Sequence, residues 1–289
     1  MTTTKAIGTF DSPAILCGGA YSNLEALEAL FEEAERLRIP PERVIHTGDV
    51  MAYCSDHEAA ARLLAASGVH AIKGNVEEQL GRNAEDCACG FVEGSQCQAL
   101  AVDWYAAADA QVTPGTRTWM ASLPDQIIFT MNRRTFRVVH GGVNVVNRFI
   151  FASLSDADFA AELEDAGTDC VIAGHSGIPF TRHVGGRIWH NAGALGMPAN
   201  DGTQRGWFSV LTPMVHGVRF EHRPLHYDHI TAARKMRAAG GSPEYAAAIE
   251  SGLWPTMDIL PEAERRMRGR RITLGSVFWA RIPRSEAVS

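Results

Sequence analysis

No run of about 20 apolar residues occurs in the sequence, so no membrane-spanning helix and no membrane partner is expected. Positive charge is also in short supply. The 27 lysines and arginines are outnumbered by 33 aspartates and glutamates, giving a formal charge of −6, which offers no support for nucleic-acid binding through bulk charge. The opening residues Met1-Thr-Thr-Thr-Lys-Ala-Ile-Gly lack a basic stretch, an apolar run and a cleavage site. A secretory leader is therefore not expected, and a cytoplasmic location is. Cysteines number only six, at 17, 54, 87, 89, 97 and 170. In a cytosolic chain of this size they are expected to be thiols, not a disulfide framework. Repeats, low-complexity tracts and long linkers are absent as well. What remains is 289 residues of ordinary globular composition, 46% hydrophobic and 21% charged. That is enough for one large domain or two small ones with a sizeable core, and a homo-oligomer is compatible with it.

Apolar runs closed by glycine or polar loops alternate with helical patterns. Ala14–Cys17 reads as a buried strand; Leu24, Leu27, Leu30, Phe31, Ala34 and Leu37 then repeat at helical spacing behind Asn23, a suitable N-cap. Arg43–His46 reads as a second strand, Glu58–Ala66 as a helix and His70–Lys73 as a third strand. Gln126–Met131 and Thr135–Val139 suggest a hairpin, Cys170–Ala173 a buried strand, and Thr181–Val184 with Arg187–His190 a second hairpin. Strands near Trp207–Leu211 and Val215–Glu221 precede helices over Ile230–Ala239 and Pro243–Ser251. This order predicts an α/β architecture with mixed sheets. The expected organisation is a core over 1–225, with an insertion near 85–125, and a helical appendage over 226–289 packed on the same domain.

The residues with most chemistry share one position, just after a predicted strand. They are Asp49, Asn75, His140 and His175, each with a neighbouring glycine (Gly48, Gly74, Gly141 and Gly174). Loops at the C-terminal ends of strands are where open α/β sheets place ligand sites. One carboxylate, one amide oxygen and two imidazoles form a donor set suited to Mn(II), Fe(II) or Zn(II).

Taken in order, Gly48-Asp49-x3-Tyr53, Gly74-Asn75, His140-Gly141 and Gly174-His175 resemble the motifs of the calcineurin-like metallophosphoesterases. Asn23–Leu30 resembles the first helix of that family, and Trp189–Pro198 resembles its asparagine-glycine loop. The resemblance covers residues 14–250 and implies a four-layer α/β/β/α sandwich with two mixed β-sheets. It also implies metal-assisted, in-line attack of water on phosphorus. The departures are specific. The family's opening Asp-x-His falls on Gly19 and Tyr21, its Gly-Asn-His reads Gly74-Asn75-Val76, and its Gly-His-x-His reads Gly174-His175-Ser176-Gly177. By the family's ligand assignment, three ligands of the first metal are missing, at Gly19, Tyr21 and Gly177. All four ligands of the second remain, as Asp49, Asn75, His140 and His175. The expectation is a retained mononuclear site for Mn, Fe or Zn, or a dinuclear one rebuilt from other residues.

Candidates for rebuilding the first site are Tyr21, Cys54, Cys87, Cys89 and Cys97, because phenolate suits Fe(III) and thiolates suit zinc or iron. Cys17 and Cys170 read as core residues; for Cys87, Cys89 and Cys97 a metal, redox or disulfide role stands beside the plainer alternative, a solvent-facing Cys87-x-Cys89 loop. Beside Asp49, the expected catalytic residues are Glu77, which is placed to move a proton or simply to start a helix, and His190, a donor to the leaving oxygen or a structural strand residue. Arg148, Arg182 and Arg205 are available to phosphate oxygens, but no substrate contact is assigned. The leading reading is a hydrolase of phosphate mono- or diesters acting on a small phosphorylated substrate. A non-catalytic member that keeps one structural metal or senses a phosphorylated ligand is the alternative. Third comes a redirected Fe(II) enzyme built on Asp49, His140 and His175.

Overall fold

The computed structural model describes residues 2–280. In chain order its elements are β1 (Thr4–Phe10), β2 (Ala14–Cys17), α1 (Leu24–Arg36), β3 (Val44–His46), α2 (His57–Ala66), β4 (His70–Ala71) and α3 (Asn75–Gly81). Next come α4 (Gln96–Gln111), α5 (Pro114–Ser122), β5 (Gln126–Met131), β6 (Arg134–Val138), α6 (Asp156–Ala166), β7 (Cys170–Ala173), β8 (Phe180–Val184) and β9 (Arg187–Asn191). The chain continues through β10 (Gly206–Met214), β11 (Gly217–Leu225), α7 (His229–Ala238), α8 (Pro243–Ser251), α9 (Glu262–Arg265) and β12 (Val277–Ala280). None of the described helices is long and apolar enough to cross a membrane.

The strands form two mixed six-stranded sheets, ordered β1-β5-β6-β7-β9-β8 and β12-β11-β10-β2-β3-β4. Successive side chains of a strand point to opposite faces, so a strand covered on both faces reads as an unbroken apolar run. Ala14 and Leu16 of β2 meet Cys170 and Ile172 of β7 in a core between the sheets. Ile15 and Cys17 face the other way, into a core with Leu27 and Leu30 of α1. Val171 and Ala173 turn outward from the first sheet to pack with Phe159 and Leu163 of α6. These three cores separate four layers in the order helix, sheet, sheet, helix, as the resemblance implied.

α1 starts where expected: Asn23 Oδ1 accepts the Ala26 N–H at 3.1 Å, which satisfies one of the free donors of the first turn. The Asn23 amide also donates to Gly196 O at 3.0 Å, tying the helix start to the loop after β9. The insertion supplies α4 and α5. Its Trp104, and Ile249 of the tail, join the core that α1 and α2 build on the second sheet.

Four elements depart from the expectation. The strand expected over His70–Lys73 is only the two-residue β4. β1 is a mostly exposed strand with no buried alternation to reveal it, and it pairs in parallel with β5. α6 begins in a capping box in which Ser155 accepts the Asp158 N–H, a signal that the apolar spacing of 156–166 does not reinforce. The tail, expected to be helical, ends in β12, which pairs antiparallel with β11 from Gly217↔Ala280 to Phe220↔Val277. This register brings Trp279 into the core between the sheets.

Candidate metal centre

The site is assembled from loops that follow β3, β4, β6 and β7, two strands from each sheet. Parallel neighbours bring their C-terminal ends together: β3 beside β4, and β6 beside β7. The two sheets are joined there by His140 Nδ1, which donates to Thr47 O at 2.7 Å. The loops approach so closely that side chains are excluded between them. A Cβ on Gly74 would lie 2.1 Å from Asp49 Oδ1, and one on Gly48, where φ is +94°, 2.5 Å from Gly74 N. Asp49 and His175 themselves take left-handed conformations, at φ 58° and 56°. Each costs on the order of 1–2 kcal/mol, a strain characteristic of functional sites.

Asp49, His140 and His175 offer ligand atoms that all lie within 4.8 Å of one another. His140 Nε2 is 3.1 Å from Asp49 Oδ2, 3.1 Å from Asn75 Oδ1 and 3.1 Å from His175 Nδ1. Because His140 gives its Nδ1 proton to Thr47, its Nε2 is a lone pair when the ring is neutral. Carboxylate, amide oxygen and two imidazole nitrogens then turn lone pairs toward one point. One shared proton cannot satisfy all four, whereas a divalent cation of the Mn, Fe or Zn type fits this donor set. Asn75 is held in the useful orientation by its own amide group, which donates to Cys87 O at 2.8 Å.

The electrostatics follow from burial and from the Asp49–His140 pair. Burial opposes the charge on Asp49, but the charge and hydrogen bond of His140, the His175 ring and the Val76 N–H together outweigh it and hold the carboxyl below its usual range. His140 shows the converse: burial lowers its pKa, yet the Asp49 carboxylate leaves it raised. Burial, then repulsion from His140, pushes His175 down to about 3, so its ring is neutral and free to ligate at ordinary pH.

Over this cluster lies a cavity of about 60 Å³. Tyr21, Tyr53, Phe91, Phe149, Tyr245 and Trp254 dominate its wall, and among the described residues no lysine or arginine lines it. Phe149 stacks on the His175 ring at 4.2 Å, while Tyr53 packs against Tyr21 at 4.8 Å and Tyr245 at 4.6 Å. Phe91 comes from the insertion, and Tyr245 and Trp254 come from the tail. Phe91, Phe149, Tyr245 and Trp254 went unread in the sequence, because only the fold shows that distant segments share one wall with Tyr21 and Tyr53.

The remaining candidates divide sharply. Glu77 is 1% exposed. It accepts the N–H groups of Asp49, Val50 and Gly74 at 2.7, 2.8 and 2.8 Å. Burial, then the Asp49 charge, raises its pKa to about 7. Glu77 does start a helix, accepting the N–H of the α3 N-cap Gly74, but it does so buried and as a brace for the Asp49 loop. His190 is not brought to the site. It shares the inter-sheet face of β9 with Ile188, stacks on His222 at 4.6 Å and pairs with Thr181 Oγ1 at 2.9 Å. Arg148, Arg182 and Arg205 are engaged by Glu162, Asp156 and Asp201, away from the cavity wall.

The proposed replacement ligands also find other places. Cys87 and Cys89 are joined in a disulfide, so the expectation of free thiols does not hold for this pair. Cys54 lies off the cavity wall, its Sγ 3.9 Å from Gly196 O. Cys97 does line the cavity, with burial and then Asp258 pushing its thiol up to about 11. Tyr21 fills space. A Cβ on Gly19 would lie 2.7 Å from its Cζ, and one on Gly177 would lie 3.9 Å from its hydroxyl. One phenol ring thus covers the ground between all three positions where the first metal's ligands are missing, and burial followed by the Asp49 charge raises its pKa and keeps it protonated.

The chain is thus a two-sheet α/β sandwich with a candidate metal-donor set at its strand ends. The calcineurin-like phosphoesterase superfamily domain matches residues 20–212, and the chain belongs to that superfamily. Among solved structures, it is similar to a metallophosphoesterase from Sphaerobacter thermophilus. The TM-score is 0.67 at 18% identity, over 84% of this chain and 100% of that one. It is also similar to a hypothetical protein from Pyrococcus horikoshii OT3. Here the TM-score is 0.69 at 13% identity, over 84% of this chain and 99% of that one. At such identities these likenesses show the fold. No curated protein matches the sequence.

Proposed function

We propose that this protein is a mononuclear metal-dependent phosphodiesterase acting on a small substrate. The observation that carries the reading is the convergence of Asp49, Asn75, His140 and His175 beneath a cavity that no lysine or arginine among the described residues lines. A divalent cation held there supplies Lewis-acid chemistry, polarising a phosphoryl oxygen and acidifying water. The chain contributes position and charge. Asp49 neutralises part of the cation, Asn75 and the two imidazoles fix its place, and the aromatic wall excludes bulk water.

Charge selects the diester. With Asp49 offsetting one of the cation's two charges, a monoester dianion would leave one negative charge that no lysine or arginine among the described lining residues meets, and an uncompensated buried charge is costly. A diester brings a single charge and leaves none. Val76 stands where the family carries the histidine that assists the leaving group, which favours esters of acidic alcohols. The test is Mn(II)-loaded protein assayed with bis(p-nitrophenyl) phosphate and with p-nitrophenyl phosphate. Diester turnover at least tenfold above monoester turnover is expected, with loss in Asp49→Asn. Preference for the monoester would contradict the charge argument. Val76 and the Tyr21 ring also favour a second reading, a binding protein without turnover. Bound metal with no hydrolysis of either ester would select it.

A further inference from the structure

The Cys87–Cys89 segment touches the metal donors although the chemistry above makes no use of it. Its two sulfurs are bonded to each other. Cys87 O accepts from Asn75 Nδ2 at 2.8 Å, and Cys89 Sγ lies 3.5 Å from the same nitrogen. Ala88 O accepts from Asn147 Nδ2 at 2.9 Å. Between the bonded cysteines, Ala88 is held at φ 46°, in the left-handed region that alanine avoids. Cys89 lines the metal cavity, and both cysteines line a second cavity of about 310 Å³ beside Gln98 and Tyr105. The bridge is therefore part of the partition between the two.

We propose that the Cys87–Cys89 bridge positions Asn75 for metal binding, so that opening it weakens the metal centre. The proposal rests on the reading of Asp49, Asn75, His140 and His175 as metal donors. A carboxamide can turn either its oxygen or its NH₂ toward an ion, and the group that accepts from the NH₂ decides which. Here that acceptor is the Cys87 carbonyl, and the bridge locks its loop in a conformation Ala88 would otherwise leave. A dithiol reductant would deliver two electrons and two protons to the sulfurs. The S–S bond breaks, two thiols form, and the dithiol closes to its own disulfide. The loop relaxes, and the Asn75 amide loses its fixed partner.

The test is Co(II) titration followed through its visible d–d absorption, which reports the donor set directly. It compares oxidised protein with protein reduced by a water-soluble phosphine, which takes its oxygen from water, and with the Cys87→Ser/Cys89→Ser variant. Each is repeated with Asn75→Ala. Loss of an outer-shell partner typically costs 10–100-fold in metal affinity. Reduction and the double variant are therefore expected to raise Kd about tenfold or more, and Asn75→Ala is expected to abolish the difference. Cys97→Ser should leave the redox response intact. Equal Kd values before and after reduction, or a response that survives Asn75→Ala, would overturn the proposal. Tighter binding on reduction with a new sulfur-to-cobalt band would also overturn it, making Cys89 a ligand instead. Failure of the oxidised wild type to bind Co(II) would defeat the donor reading itself, and the proposal with it. That outcome is distinguishable because it precedes any redox comparison.

Discussion

At the scale of single residues, Tyr21 and Glu77 shape the centre without belonging to the donor set. Tyr21 closes off the ground between Gly19 and Gly177, so restoring a second ion needs its ring removed and its neighbours rebuilt. Gly19→Asp with Tyr21→His and Gly177→His is expected to raise bound metal by about one equivalent per chain in elemental analysis. Tyr21→His alone should add none. Glu77→Ala would leave the N–H groups of Asp49, Val50 and Gly74, and the more distant one of Met51, without this acceptor. At 1–3 kcal/mol for each unsatisfied group, the expected loss is roughly 3 kcal/mol or more, read as a fall in the urea midpoint. The four converging residues were legible in the sequence because each follows an apolar run and sits beside a glycine that the close loop approach requires. Of the two readings of His190, the pattern of the strand favours the structural one. Strand alternation puts it on the face of Ile188, not of Asn191, and that face belongs to the core between the sheets.

Among the elements, β12 shows how a tail can be structural after forming no expected strand. Trp279 is 4% exposed, donates its indole N–H to Gly186 O at 3.1 Å and carries the Arg134 guanidinium 4.2 Å above its ring. Trp279→Ala is expected to cost about 3–5 kcal/mol, seen as a lower denaturant midpoint without loss of bound metal. A surface-appendage tail would give a change near zero. Central strands such as β2 and β7 were legible because burial on both faces writes them as apolar runs. β1 and β12 lie at sheet edges, and their partly exposed faces leave no such run. Beyond Tyr21 and Tyr53, the aromatic wall was illegible for a different reason. It joins residues from α8 and from the loops around the insertion, and no local pattern encodes that meeting.

On the scale of the whole molecule, buried histidines set the response to acid. Burial pushes both His57 and His222 down to about 4, with Asp56 partly opposing the shift at His57 and the Asn191 carbonyl at His222. The unfolded chain binds these protons near pH 6.5, so between pH 6.5 and 4 it holds more protons than the folded one. Stability therefore falls as pH drops through that window, by about 3 kcal/mol per histidine once pH reaches 4. Thermal melts between pH 7 and 4 should show the decline, and His222→Gln should make it shallower. The metal centre joins the two sheets at the ends of β3, β4, β6 and β7, so its occupancy is a property of the whole fold. Its ion count is the most direct test. Protein purified without added metal, with Asp49→Asn and His175→Ala in parallel, is to be measured by elemental analysis. One equivalent of Mn, Fe or Zn per chain, lost in both variants, is the predicted result. Two equivalents in the wild type, or none even after reconstitution, would contradict a single-ion centre.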